Sequence, residues 1–237
     1  FKTHHEAMDL SLYLRIAPET FLKEAIVGGF ERVFEIGRSF RNEGIDPSPL
    51  QDFTTVEHYA AYWNYEDNMR FTEKMFHFLL RETRSSLTVQ MSDRDGTLHD
   101  IDFGKPWRRV SFRTLIKEDC DIDIADYKNA DLLRKEMKKK KIDLEGAGKL
   151  GLGNLVDHLY KKVSRPKLIQ PTFLLEHPID VSPLARKNDK NPSIVDRFQV
   201  VVCGWELVNA YSEVVDPVDQ ASRFESQAEA KAAGTLR

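Results

Sequence analysis

The chain has 237 residues, 41% of them hydrophobic, enough to bury one sizeable core with room for a small inserted subdomain. Charged residues make up 31%, yet Lys+Arg 35 against Asp+Glu 38 leaves a net charge of only -3, so no global bias demands a nucleic-acid partner, although a local basic patch stays compatible with that sum. Cys120 and Cys203 are far apart, with no CxxC and no His cluster, which argues against a disulfide scaffold or a zinc site and fits a reducing, cytoplasmic setting; no apolar run approaches the ~18 residues of a membrane span and no signal peptide is expected.

In chain order, His4 and His5 are adjacent, not at the i, i+4 spacing that puts two ligands on one helix face, and read as surface or turn residues. LSLYLRI reads as a strand with Leu10, Leu12, Leu14 and Ile16 on one side. Pro18 opens a helix ended by Gly28 and Gly29, with Glu19 in its first turn, where a carboxylate complements the helix dipole. Residues 32–62 then read as two strands joined by a polar loop. Alternation puts Arg41, Glu43, Phe53, Glu57 and Tyr59 on one face and Phe34, Ile36, Phe40, Val56 and Ala60 on the other, predicting one core face and one chemically loaded face. An Arg fork there can neutralise a phosphate and a carboxylate, and a Phe can stack on a flat base.

NYEDNMRFTEKMFHFLLRETRSSL predicts a long amphipathic helix with Met69, Phe71, Met75, Phe76, Phe78, Leu79 and Leu80 as its buried stripe. A hairpin around the DRDG turn follows, then a strand leading into a helix from Trp107, with Trp107 to Arg109 read as structural. Residues 126–167 are charge-rich and helical, and the KKKK run at 138–141 reads as a solvated helix end, tRNA phosphates being the functional alternative. GAGKLGLG lacks the GxxxxGK[ST] spacing of a phosphate loop. DRFQVVVCGWELVNAYSEV predicts a hairpin turning near Gly204, with Phe198, Val200 and Val202 packed on one face and Asn209, Tyr211 and Glu213 together on a face of the second strand. Glu206 has the opposite parity, so joining that row requires a bulge between Glu206 and Asn209. A last helix is expected from Pro217 to about Gly234.

THH, LYLRIAPE and GGFERVFEIGRSFRNEGI, followed by DFTTVEHYAAY, resemble the class II aminoacyl-tRNA synthetases in their lysyl-tRNA synthetase form, the FRNEGI hairpin being that family's motif 2. The resemblance implies an α+β fold, a mostly antiparallel sheet flanked by helices. It implies one partial catalytic domain over 1–237, with a helical, charge-rich insertion at about 126–167. It also implies a reaction that joins lysine to ATP as lysyl-adenylate and transfers it to tRNA(Lys), with magnesium and no catalytic base. In that family Arg41 would contact the α-phosphate and the substrate carboxylate, Glu43 and Phe53 would hold adenine, and Glu206 would bind magnesium with ATP. Glu57, Tyr59, Tyr211 and Glu213 would line the lysine pocket, Glu19 and Asn209 holding the substrate's two ends. Carboxylates crowded in that pocket are expected to have raised pKa values while it is empty.

Two departures stand out. Pro49, Leu50 and Gln51 replace the usual HNP of the motif 2 loop, and Gln199 stands where the family carries its other metal-binding Glu; its amide oxygen can still ligate magnesium but brings no charge, predicting a weak ligand and weaker magnesium binding. With no GxGxDR segment, no motif 1 and no anticodon-binding barrel in it, the chain is expected to be a fragment of a homodimeric parent and inactive alone. A non-catalytic relative keeping a lysine or nucleotide pocket, and a lysine ligase acting on a protein, are the alternatives.

Overall fold

The computed structural model describes residues 1–42, 50–232 and 234, and the chain divides into two compact units, Phe1–Trp63 and Asn64–Arg237. Glu43 and Pro49, two of the positions singled out by sequence, lie outside the described residues.

In the first unit, β1 (Lys2–His5) and β2 (Leu10–Tyr13) form an antiparallel pair, α1 spans Glu19–Val27, and β3 (Arg32–Phe40) pairs antiparallel with β4 (Asp52–Ala60). His4 and His5 sit in β1, exposed, with His4 Nε2 at 3.3 Å from Asp9. The β3–β4 register places odd residues opposite odd, Ser39 against Phe53, Glu35 against Glu57 and Val33 against Tyr59, so the predicted division of faces holds. Which face is covered does not. Phe34, Ile36 and Val56 are 70%, 66% and 53% exposed, while Ser39 is fully buried and Glu57 and Tyr59 half-buried. The reason is α1: it lies against the face carrying the charges, with Leu22 buried and the Lys23 ammonium 5.9 Å from the Tyr59 ring. Within this unit the chemically loaded face is the sheltered one.

The second unit begins with α2 (Tyr65–Arg84). Its start is fixed by a capping box: the Asn64 side chain accepts from the backbone N–H of Glu66 and Asp67, and Asp67 accepts from the Asn64 N–H at 3.0 Å. Asn64→Ala should cost about 1 kcal/mol, read as a lowered urea midpoint; an unchanged midpoint would show that the cap contributes nothing. The stripe that α2 buries is narrower than its composition predicts. Met69 and Thr72 are buried and Phe76 and Leu80 pack beside them, but Phe78 is 63% and Leu79 45% exposed, because they face away from the 69, 72, 76, 80 line.

The hairpin of β5 (Thr88–Ser92) and β6 (Leu98–Asp102) turns at Gly96, as predicted, and β7 (Arg108–Ser111) runs into α3 (Phe112–Cys120) through a Ser111 N-cap. Two helices follow, α4 (Ala130–Lys139) and α5 (Leu152–Val163). Lys138 to Lys141 are exposed at the end of α4, with Lys139 paired to Glu136 and Lys140 to Asp121, the solvated helix end expected. A four-stranded sheet has the order β10-β9-β8-β7, built from β8 (Thr172–Leu175), β9 (Arg197–Val202) and β10 (Trp205–Tyr211); β7 and β8 are parallel, the other pairs antiparallel. The β9–β10 hairpin turns at Cys203 and Gly204, φ 51 and 71, two consecutive left-handed residues that match the strand twist. α6 spans Pro217–Ala232.

This sheet separates two cores. Phe198, Val200 and Val202 pack with Phe173, Phe103, Trp107 and Met69, and Trp107 is the structural residue anticipated, its Nε1 donating to the Phe103 carbonyl. On the other side Val201 and Leu174 meet Phe112, Leu133, Leu155 and Leu159, so α3, α4 and α5 cover that face. The charge-rich segment is thus built into a core of its own.

Candidate functional site

In the first unit, the segment after β2 lies beside β3: Phe40 N–H donates to the Arg15 carbonyl at 2.8 Å and Arg15 Nε to the Arg38 carbonyl at 2.9 Å. Arg41 extends the hairpin, its N–H donating to the Gln51 carbonyl at 2.9 Å, and its Nε donates to the Ile16 carbonyl at 3.2 Å. Its guanidinium lies over the Phe53 ring, 5.2 Å from the centroid. The fork is thus held at Nε and backed by an aromatic plane.

Behind Arg41 is a cluster of acids. Glu35 and Glu57 are direct cross-strand partners, an arrangement that repels unless countered. Arg15 pairs with Glu35, and Gly37 leaves the room for it: a Cβ there would collide with Arg15 Nη2. Glu19 pairs with Lys23, 2.7 Å away one helical turn on. Glu57 forms no ion pair among the described residues, and its nearest partner is the Tyr59 hydroxyl, donating at 3.5 Å. Its carboxyl pKa is raised, first by burial, then by the charge of Glu19, while Arg41 and the Tyr59 hydroxyl pull it down and Glu35 adds to the rise. The direction expected of the pocket carboxylates is present at Glu57, but burial leads it and the repulsion between acids comes second. Sequence reasoning missed Lys23 and Arg15, the cations that balance these acids. The signal for Lys23 was its place four residues after Glu19.

The second unit carries Gln199, Glu206, Asn209, Tyr211 and Glu213. The register of β9 and β10 shifts between Glu206 and Val208: Glu206 opposes Val201, Val208 opposes Val200, and Leu207 is the extra residue. The bulge required by parity exists, and it turns Glu206 to the face of Gln199 and Asn209. Gln199 Nε2 donates to Glu206 at 2.6 Å, and His177 Nε2 lies 3.2 Å from Gln199 Oε1. A carboxylate only accepts, so the amide nitrogen must face Glu206; the amide oxygen then faces His177, whose Nε2 carries the ring proton. Arg197 holds the neighbouring position, Nε donating to Asn209 Oδ1 at 2.9 Å and Nη1 to the Val181 carbonyl and Ser182. Glu206 is open to solvent at the mouth of a concave cavity, yet protein packs around it closely enough that desolvation raises its pKa against the pull of Arg197, Lys161 and Arg165. His177 is buried and its pKa falls to about 3, by burial and by Arg197.

Magnesium fits this set through Glu206, since that ion binds one or two carboxylates and leaves its other positions to water and phosphate. Gln199, as hydrogen-bonded here, offers Glu206 a donor and spends its oxygen on His177. Among the described residues no group of three or more His, Cys, Asp or Glu is placed to hold a metal by itself.

A family model described as tRNA synthetases class II (D, K and N) matches residues 1–235, and the chain belongs to that family. It is 46% identical over 235 residues to the heat-inducible lysine--tRNA ligase of Escherichia coli K12, covering 99% of this chain and 45% of that protein. It is 45% identical to the lysine--tRNA ligase of Salmonella arizonae, again over 45% of that protein, and 42% to that of Mannheimia succiniciproducens, over 46%. The chain thus spans about half the length of the curated relatives it matches. No helix among the described residues is long and apolar enough to cross a membrane.

Proposed function

We propose that the protein carrying this chain activates L-lysine with ATP and transfers it to tRNA(Lys), working as a homodimer in the cytoplasm, with residues 1–237 as a partial catalytic domain and 126–167 as its insertion. The observation that carries the choice of lysine within a family that also serves Asp and Asn is the acid cluster of Glu19 and Glu57 with Tyr59, which already accommodates an alkylammonium, that of Lys23. A pocket for aspartate would need the opposite charge.

In this reading Arg41 binds the α-phosphate and the lysine carboxylate, Phe53 stacks on adenine, and Glu43 is assigned to the base by resemblance alone. Glu57, Tyr59, Tyr211 and Glu213 take the side-chain ammonium, Glu19 the α-amino group and Asn209 the carboxylate end. Magnesium, held by Glu206, supplies charge neutralisation on the phosphates when bound; Gln199 orients Glu206 instead of adding a second charge. The chain's own contribution is to fix an Arg fork and neutralise an anion, so no side chain needs to take a proton in the activation step.

Lysine-dependent ATP–pyrophosphate exchange by the complete protein tests this, and exchange supported by aspartate or asparagine instead of lysine would overturn it. Phe53→Ala should weaken ATP binding by about 1–2 kcal/mol while lysine affinity changes less, since only the base loses a stacking plane. Equal losses for both ligands in calorimetry would reassign Phe53. A second reading, a non-catalytic relative that binds lysine, is favoured by one observation, the Gln199 amide donating to the magnesium-side Glu206. Absence of exchange together with lysine binding would select it. A lysine ligase acting on a protein differs only in its acceptor, and charging assays with tRNA and with candidate proteins separate the two.

A further inference from the structure

Lys23 stands where the proposed function puts substrate. It lies in the middle of α1, on the side of the helix that rests against the charged face of β3 and β4. Its ammonium is 2.7 Å from Glu19, the carboxylate assigned to the α-amino group of lysine, and 5.9 Å from the ring of Tyr59, assigned to the side-chain ammonium. A Glu and a Lys four residues apart commonly pair on an open helix face in water. This pair is more sheltered than that: the Glu19 and Lys23 side chains are only 24% and 36% exposed, and an aromatic ring from the sheet lies beside the cation.

The acids around it define what this cation does. Burial first and the charge of Glu19 second raise the Glu57 pKa, so the two carboxylates share one electrostatic pocket. The other cations of this unit are committed elsewhere. Arg15 pairs with Glu35, and Arg41, held at the Ile16 carbonyl and over Phe53, acts on Glu57 without an ion pair among the described residues. Lys23 is therefore the cation that neutralises Glu19. One turn of helix holds it there, so its local concentration at that carboxylate is set by the fold and not by the solution. A second ammonium arriving at Glu19 meets the first, and like charges that close repel.

We propose that Lys23 is a built-in competitor of the substrate: its ammonium takes the place of the substrate's α-amino group at Glu19, and lysine binds by displacing it into solvent. This role deepens the reading of the chain as a lysine ligase and rests on it. A ligand with one ammonium and no carboxylate only exchanges one ion pair for another. Lysine brings two ammonium groups and a carboxylate, so it gains Glu57 and the Arg41 fork beyond what it displaces. Affinity for lysine is thereby set lower than the acids alone would give.

Calorimetry of L-lysine binding to the complete protein and to its Lys23→Met variant tests the competition. Met keeps an unbranched stem beside Tyr59 and removes the charge, and lysine should bind about threefold to tenfold more tightly. Lys23→Arg keeps a cation on Glu19 and should show no tightening. Losing any nearby positive charge favours a cationic ligand, so displacement is read separately, on the unaltered protein, by acylating its amines with excess reagent in the absence and presence of saturating lysine. Labelling of Lys23, normalised to the exposed Lys2 of β1, should rise as the ammonium is released to solvent. A ligand that left Lys23 in place would cover it, and its labelling would fall. Unchanged or reduced labelling in a protein that binds lysine overturns the competition alone, as does equal or weaker lysine affinity in Lys23→Met. Absence of lysine binding to both proteins overturns the lysine pocket and the competition with it.

Discussion

Glu213→Gln should reduce lysine affinity by more than a hundredfold, a loss of roughly 3 kcal/mol or more, with the fold intact. The residue follows β10, and its backbone is clamped: Ser212 N–H donates to the Asp196 carbonyl at 2.9 Å, Arg186 N–H to the Ser212 carbonyl at 2.7 Å and Val214 N–H to the Leu184 carbonyl at 3.2 Å. Glu213 itself bridges Ala185, which is buried. The backbone that carries this half-buried residue is thus fixed before ligand binds. The Gln variant keeps size and backbone but offers a compact, strongly hydrated ammonium only a neutral oxygen, and the desolvation cost is no longer met. Calorimetry of lysine binding at matched salt measures the difference. Unchanged affinity would remove Glu213 from the pocket.

Much of this arrangement was legible in the sequence where a local rule decides it. The bulge at Leu207 follows from parity alone: Glu206 and Asn209 differ by an odd number, so a common face demands one extra residue, and the register shift supplies it. Gly204 marked the hairpin turn, since glycine takes a positive φ without strain, and the structure puts Cys203 in the same region beside it. What periodicity could not give was which side a neighbour would choose to cover. Phe34, Ile36 and Val56 form an apolar row that composition alone assigns to a core, but α1 packs on the opposite face, where the charges are. Likewise α2 carries more apolar residues than one 3.6-residue stripe can bury, and only its 69, 72, 76, 80 line is used. The balancing cation Arg15 comes from another segment, and a pairing of that kind is set by packing, whereas Lys23 carried a local signal in its place four residues after Glu19.

The His177–Gln199–Glu206 chain should make stability depend on pH well above the range where carboxylates titrate. The His177 ring is buried against Phe112, centroids 5.3 Å apart, and its pKa is about 3 in the folded chain against 6.5 when exposed, through burial first and the Arg197 charge second, with the Gln199 hydrogen bond opposing. A folded-state pKa that low means that below pH 6.5 the unfolded chain binds a proton the folded chain refuses. The stability associated with His177 is therefore complete above pH 6.5 and is lost as pH falls toward 3, by about 3 kcal/mol between pH 6.5 and 4. The depressed carboxylates, Asp67, Asp93, Asp102, Asp121, Asp123 and Asp219, begin to lose their contribution only near pH 5 and lose most of it below their ordinary value of 3.8. Glu57 and Glu206, with raised values, act in the opposite direction, since the folded chain takes up their protons first. Comparison with His177→Gln cancels both sets: the new amide can still donate to Gln199 Oε1 but cannot titrate. Its loss of contact with Phe112 lowers stability by a constant, whereas the slope of unfolding free energy between pH 4.5 and 6.5 should flatten by about 1.2 kcal/mol per pH unit on average relative to wild type. Urea unfolding across that range reads the slope directly. Parallel curves for the two proteins would mean that His177 takes up its second proton, at Nδ1, as readily in the folded chain as in the unfolded one.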